Sequence, residues 1–514
     1  MTNRTGIRCV AIANALWVLA LVGACSSLPT DYPRTSSVAI DDWQATSLGA
    51  HLAPLEAAHP GESGFDILRY GHNAFSLRLA MIEMAEKSID LQVYIWAADE
   101  TGWIMAERLI KAADRGVRVR LLVDDLGFGG TDQGIASMDA HPNIEVRLFN
   151  PFANRDSATF DFLFDLDRVN HRMHNKIIIA DNSLAVIGGR NIGNNYFSVD
   201  PQTNFRDLDI IAAGPVVRDT SAVFDHFWQT EAAVPVPALL DQTFTADDLH
   251  TLSANLRSLL DEGHYPYAIE QDIERSLAEI GEAEEKLVWA SGSIIWDNPE
   301  KTLAAEDNAQ IITSLMQKLP TVAHSLTIES AYFVVQKRGV EALKQLVARG
   351  VAVRVLTNSL VSNDVLAAHA GHATYRKQLL QAGVAVYELR PDSAVIRKSW
   401  QGEPSAGLHT KTFVFDNQSL FIGSFNLDPR SANINTEAGV YVESPELSAR
   451  LLAHMDEGVL PENSYRVTLD DDGKLLWTTV IDGAEVTFDK DPLSTFGQRF
   501  MSGFISIMPV HSQL

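Results

Sequence analysis

The sequence predicts an α/β fold built twice over, as two similar halves, each a β-sheet covered by helices. Three observations carry this. The stretch SIDLQVYIW, a helical stretch and ADRGVRVRLLVDD recur later as SLTIESAYF, a helical stretch and VARGVAVRVLTNS. A further strand follows each copy, NIEVRLFNP at Asn143–Pro151 and GVAVYELRP at Gly383–Pro391. Apolar strands alternate with amphipathic helices, the pattern of βαβ units, whose parallel strands need helical crossovers. The junctions Arg115-Gly116-Val117 and Arg349-Gly350-Val351 fit helix C-termini: a basic residue, then glycine to end the helix, then the next strand.

The elements follow in order along the 514 residues. Arg4 and Arg8 precede an apolar run from Val10 to Val22 that ends in small residues, which reads as a signal peptide over residues 1–24. The segment LVGAC resembles a bacterial lipobox, so Cys25 is the expected site of lipidation. The other cysteine, Cys9, would leave with the signal, and a lone N-terminal thiol forms no internal disulfide. Residues 25–60, Ser/Pro-rich at their start, read as a lipidated tether. This address implies the bacterial cell envelope, periplasmic side, and by analogy with the bacterial sorting rule Ser26 points to the outer rather than the inner membrane. The first lobe is expected over 61–230, a helical acidic connector packed on both halves over 231–300, and the second lobe over 301–460. Residues 461–514 should form a hairpin turning at Asp482-Gly483 and an apolar helix with Phe496, Phe500 and Phe504 on one face. That helix is too short to span a bilayer; it docks on the domain or meets the membrane interface.

The formal charge is −25. Such a surface repels polyanions, which argues against a nucleic-acid binder, though not against local basic pockets.

The chemistry lies in two stretches that fall in register, HNKIIIADNSLAVIGGRN and HTKTFVFDNQSLFIGSFN. His174, Lys176, Asp181, Gly188 and Asn191 match His409, Lys411, Asp416, Gly423 and Asn426 at one constant offset. In extended chain, residues i and i+2 point the same way, so each His–Lys pair shares a face. Asp181-Asn182 and Asp416-Asn417 are turn formers, giving strand, tight turn, strand. Small residues in GGRN and GSFN let backbone N–H groups approach a phosphate, and Asn191, Asn426 and Ser424 can donate further hydrogen bonds. Two lysines neutralise the phosphate and two histidines flank it. Such a set suits two-step displacement at a phosphodiester, with one histidine as nucleophile and the other as acid and then base.

The doubled HxKxxxxD followed by G[GS]xN resembles the phospholipase D superfamily over nearly all of residues 60–460. The stretches RMHNKIIIADNSLAVIGGRNIGNNYF, NFRDLDI, VWAS with WDNPEK, and the MPVHSQL ending look like bacterial cardiolipin synthases of the C type. The resemblance implies two lobes with pseudo-twofold symmetry and one active site at their interface. It implies catalysis by His174, Lys176, Asp181, His409, Lys411 and Asp416, with His174 as nucleophile and His409 as acid/base. Asp181 and Asp416 belong to the motif but read as structural, bonding turn and strand backbones. Asp207 in FRDLDI and Glu437 in NTEAGV occupy matching places after the motifs and are expected to orient the histidines across the pseudo-twofold axis. No metal or cofactor is needed, since lysine and backbone donors balance the charge and no Cys/His cluster is present. His171 reads as second to the site at best, and His369 and His372 as a poor metal pair. Tyr94, Trp96, Tyr332 and Phe333 end the first strand of each half, where ligand crevices form, and are expected either to meet an acyl or glycerol moiety or to pack in the core.

The implied reaction is phosphatidyl transfer between two phospholipids to give cardiolipin, with phosphatidylglycerol as acceptor and phosphatidylglycerol or phosphatidylethanolamine as donor. The partners are phospholipid substrates and the membrane, with no nucleic acid; a helper protein is left open. The alternatives are a hydrolytic phospholipase D, a superfamily endonuclease and, from another class, a non-catalytic envelope lipoprotein that binds phospholipid.

Overall fold

In the computed structural model, residues 28–507 are described except 156, 264, 303–309, 394 and 396–404. The expected signal peptide, Cys25 and the MPVHSQL ending lie outside the described residues.

The first lobe contains β1 (Ser63–Leu68), β2 (Ser88–Val93), β3 (Arg118–Asp124), β4 (Ile144–Phe149), β5 (Ile177–Ala180), β6 (Leu184–Gly188), β7 (Thr203–Arg206), β8 (Asp209–Ala213) and β9 (Ala233–Pro235). The second contains β10 (Val288–Trp296), β11 (Ser325–Ser330), β12 (Ala352–Asn358), β13 (Ala385–Leu389), β14 (Ser405–Leu408), β15 (Lys411–Phe415), β16 (Ser419–Gly423), β17 (Ala438–Glu443), β18 (Ser464–Leu469), β19 (Leu475–Ile481) and β20 (Ala484–Phe488). The pairing order β1-β8-β6-β5-β2-β3-β4 in one lobe is repeated as β10-β17-β16-β15-β11-β12-β13 in the other. In both, the second to fourth strands (β2, β3 and β4; β11, β12 and β13) run parallel through helices and the motif hairpin returns antiparallel. The duplication therefore survives strand by strand. The start of β10 pairs with β1, Ser63 against Ala290 and Phe65 against Val288, which joins the two sheets.

The three isoleucines of HNKIIIAD explain why the first motif is held so firmly. Alternate side chains leave opposite faces of a strand. Ile178 enters the core of the first lobe, while Ile177 and Ile179 enter a second core that also holds Val414, Ile422, Val440 and Leu451 of the other lobe. That shared core couples the two motif hairpins through packing. Each hairpin turns on two left-handed residues, Asp181 and Asn182 with φ 50°, and Asp416 and Asn417 with φ 53° and 56°. Asp and Asn tolerate this region, and the turn matches the strand twist.

The segment expected as a connector divides. Its helices Ala246–Glu262 and Ile269–Gly281 bury Leu249, Leu256, Ile273 and Ile280 in the first lobe's core rather than bridging both halves. The stretch VWASGSIIW is not helical: it forms β10, the second lobe's counterpart of β1. Near the C-terminus, β19 and β20 pair around Asp482 and Gly483, both left-handed. The helix Phe496–Ile507 lies on the helix Leu366–Gln381, with His369 Nδ1 3.1 Å from Ser502 Oγ. Phe496, Phe500 and Phe504 remain 77%, 62% and 53% exposed. Among the described residues no helix is long and apolar enough to cross a membrane.

Candidate active site

His174 leads into β5 and His409 lies between β14 and β15, each where its lobe meets the other. The meeting is made by backbone. Met173 bridges Thr436, and the His174 N–H donates to the Thr436 carbonyl at 2.8 Å. On the other side, β14 runs parallel to β7 with Leu408 against Arg206, and the His409 N–H donates to the Arg206 carbonyl at 2.9 Å. In each case the residue after the bridged partner is an acid. The lobes therefore exchange carboxylates: His174 Nδ1 lies 2.8 Å from Glu437 Oε2, and His409 Nδ1 lies 2.6 Å from Asp207 Oδ2. With Nδ1 engaged by a carboxylate, each ring presents Nε2 to the cleft.

Lys176 and Lys411 share the faces of their histidines, as the i, i+2 spacing predicts. Lys176 Nζ donates to the His174 carbonyl at 2.6 Å, and Lys411 Nζ donates to the His409 carbonyl. Tyr94 flanks the first pair, its ring 4.9 Å from the His174 ring and 5.2 Å from Lys176 Nζ. Tyr196 and Phe205 flank His409 at 5.1 and 5.3 Å between ring centres. Trp96 and Phe333 are buried in the cores of their lobes.

The two halves differ electrostatically. Burial pushes His174 well below an ordinary imidazole, and the charges of Lys176, Lys411 and His409 push the same way. Burial and Lys411 also lower His409, but there Asp207 opposes them. Burial alone would raise Asp207; His409, Lys411 and Arg190 outweigh it and hold the carboxyl low. Burial pushes Glu437 up to about 7 despite Lys176, Ser424 and Ser431. Both lysines fall by burial, Lys176 further. Bound phosphate reverses that penalty by supplying the missing anion.

The catalytic part that the motif implies for Asp181 and Asp416 needs correction, while their reading as structural residues that bond turn and strand backbones holds. Asp181 accepts from the backbone N–H groups of Glu86, Lys87 and Ser88 at 2.8–2.9 Å, and Asp416 from those of Ala323, His324 and Ser325 at 2.6–2.8 Å. Each clamps the entry of its lobe's first parallel strand, because the turn lies at the far end of the hairpin from the histidine. Ser424, expected on the phosphate, donates instead to Glu437 Oε2 at 2.5 Å and is fully buried. Asn191 is held by Ile95, whose N–H donates to its Oδ1 at 3.1 Å, so its amide donor remains for another partner. Asn426 is buried at the matching end of β16. Of the lesser candidates, His171 Nδ1 is 2.6 Å from the Asp167 carbonyl, and His372 lies 3.2 Å from the Phe333 carbonyl and 3.3 Å from Glu388; neither reaches the cleft.

Gly189 is a requirement the motif alone does not explain. A Cβ there would stand 2.2 Å from Asp207 Oδ1. The matching position in the other lobe is Ser424, whose hydroxyl reaches the longer Glu437. Gly-with-Asp and Ser-with-Glu are two solutions to placing one carboxylate against one imidazole.

The comparisons with known proteins agree on the fold. The family model described as cardiolipin synthase, PLD-like domain matches residues 79–228 and 315–458. Cardiolipin synthase C of Escherichia coli is 37% identical over 90% of this chain and 98% of its own. A cardiolipin synthase of Oceanobacillus iheyensis is 23% identical over 81% of this chain and 73% of its own. Among solved structures, phosphatidylserine synthase of Haemophilus influenzae superposes with a TM-score of 0.53 at 15% identity, covering 80% of this chain and 91% of that one.

Proposed function

Since the chain belongs to the family of cardiolipin synthases with phospholipase D-like domains and is a phospholipase D-type phosphatidyltransferase, we propose that it makes cardiolipin from two phospholipids through a covalent phosphohistidine. The observation that carries this reading is the exchanged pair of carboxylates, which gives one cleft two oriented imidazoles.

His174 Nε2 attacks phosphorus of the donor, phosphatidylglycerol or phosphatidylethanolamine, and the P–O bond to its headgroup breaks. His409, protonated, delivers its proton to the departing alkoxide. His409 then takes the proton of the headgroup hydroxyl of phosphatidylglycerol, whose oxygen attacks phosphorus and releases His174. The assignment follows from the electrostatics. The nucleophile must start neutral, and His174 is the ring pushed further down, beside a carboxyl near 7. The acid must hold a proton, and His409 faces a carboxylate held low. Lys176 and Lys411 balance the phosphate charge throughout.

The substrates remain in a bilayer, so the protein works at a membrane. Lipidation at Cys25 would tether it on the periplasmic side of the envelope, at the outer membrane by the Ser26 rule. The Phe496, Phe500 and Phe504 face would rest on the lipid interface.

The test is to incubate purified protein with labelled phosphatidylglycerol and resolve the lipids. Cardiolipin that disappears in His174→Asn is the expected outcome. Phosphatidic acid without cardiolipin would make the protein a hydrolase and overturn the proposal.

A further inference from the structure

Glu437 is supported by a buried chain of groups that ends in a side-chain hydroxyl on its carboxylate; the carboxylate of Asp207 has no such donor among the described residues, although buried Arg190 bonds its carbonyl. Ser431 Oγ donates to Glu437 Oε1 at 2.7 Å, while Ser424 and His174 use Oε2. Lys301 Nζ holds Ser431 in place, donating to its carbonyl at 3.1 Å and to Asp297 Oδ2 at 2.8 Å. Asp297 in turn is tied to Glu437 by backbone: its N–H donates to the Glu437 carbonyl at 2.9 Å, and the Glu437 N–H approaches Asp297 Oδ2 at 3.3 Å. Lys301, Asp297, Ser431 and Glu437 are 5%, 1%, 2% and 0% exposed. Asp207, by contrast, has the Leu208 N–H at 2.8 Å on one oxygen and His409 on the other. Lys301 and Asp297 belong to the turn after β10, more than a hundred residues from the second motif, and neither touches the histidine.

We infer that Lys301 and Ser431 are positioning residues that keep Glu437 ionised, with Asp297 holding Lys301 in place, and so hold His174 in the tautomer whose Nε2 lone pair is free. The argument is chemical. An ionised Glu437 only accepts, so it accepts the hydrogen bond of Nδ1–H and leaves Nε2 as the nucleophile. A protonated Glu437 can donate to Nδ1, which moves the ring proton to Nε2 and disables attack. Burial drives Glu437 toward that useless form. The groups opposing burial are the hydroxyls of Ser424 and Ser431 and the charges of Lys176, Lys301 and Lys411. The neighbouring carboxyls of Asp297 and Asp428 reinforce it. Removing the Ser431 donor therefore tips the balance, and Lys301 acts by holding that donor and by its charge. When His174 forms the P–Nε2 bond, the Nδ1 proton stays on the ring and the ring becomes a cation facing the carboxylate. The same ionised Glu437 thus stabilises the intermediate.

This inference rests on the site assignment proposed above, and the experiment separates the two. The pH dependence of kcat/KM for cardiolipin formation is measured for the parent, Ser431→Ala, Ser431→Thr, Lys301→Met and His174→Asn, with thermal melting as a check on folding. Ser431→Ala and Lys301→Met should move the acid limb to higher pH by about one unit. They should lose roughly tenfold against the parent at pH 6 and recover most of that by pH 9. Ser431→Thr, which keeps the hydroxyl, should restore the parent profile. A uniform loss at every pH, or profiles that coincide with the parent, overturns the inference and leaves the site assignment standing. Cardiolipin formation by His174→Asn overturns the site assignment itself.

Discussion

His174 and Glu437 are 263 residues apart in the chain and 2.8 Å apart in space, and the hydrogen bond between them crosses from one lobe to the other. His409 and Asp207 make the reciprocal crossing over 202 residues. Each lobe supplies one histidine and orients the other's.

Replacing the orienting carboxylates should therefore cost activity without unfolding the protein. Glu437→Gln and Asp207→Asn keep the shape and remove the charge that fixes the imidazole. Each should lower kcat by roughly 10²–10⁴-fold. Steady-state assays of cardiolipin formation check this, with circular dichroism confirming the fold.

The division of roles between the histidines should show when the leaving group needs no acid. With a phosphatidyl ester of p-nitrophenol, His409→Asn should still release a burst of nitrophenol and accumulate a phosphatidyl group on His174. His174→Asn should give neither. Quenched samples analysed by mass spectrometry for phosphohistidine decide the point, and a burst from His174→Asn alone would invert the assignment.

The pH dependence of the parent follows from Glu437. Its carboxyl, pushed up to about 7 by burial, must be ionised to accept the hydrogen bond of Nδ1–H. Below that pH it is protonated and the productive tautomer is lost. The value of kcat/KM should therefore fall by about tenfold per unit below pH 7.

The clamps at the hairpin turns are a matter of stability. Asp181→Ala strands three backbone donors and should cost about 2 kcal/mol or more, read from urea denaturation, with little change in kcat of the folded enzyme. Backbone donors hold the Asp416 carboxyl below its ordinary value against the effect of burial. For a carboxyl lowered on folding, the stabilisation is present above the unfolded value and lost as pH falls through the folded one. The stability gap between the parent and Asp416→Asn should thus persist at neutral pH and narrow below about pH 4.

Gly189→Ala tests the packing of Asp207. The new Cβ would overlap Asp207 Oδ1, and a shift of the carboxylate by about 1 Å should reduce kcat about 10²-fold while the melting temperature changes little.

The sequence discloses much of this site because the duplication aligns it. Once His174 and His409 are in register, Asp207 and Glu437 stand out as acids at matching places after the motifs. What it conceals depends on tertiary contact. Ser424 looks like a phosphate donor until the longer reach of Glu437 brings the carboxylate to it. Lys301 and Asp297 carry no periodic signal and sit beside Glu437 only because β10 pairs with β17. The stretch VWASGSIIW follows an acidic helical run and reads as its continuation; only its partners on both sides, β1 and β17, make it a strand.

The crossing carboxylates also set when activity can begin. A chain stopped between Pro235 and Glu437 has a complete first motif and all nine strands of the first lobe, yet its His174 has no Glu437 to accept from Nδ1. A fragment or a partly made chain should therefore be inert toward phospholipid. The enzyme becomes dangerous to lipids only when nearly the whole polypeptide has been made and folded, so its architecture doubles as a safety catch on its own biogenesis.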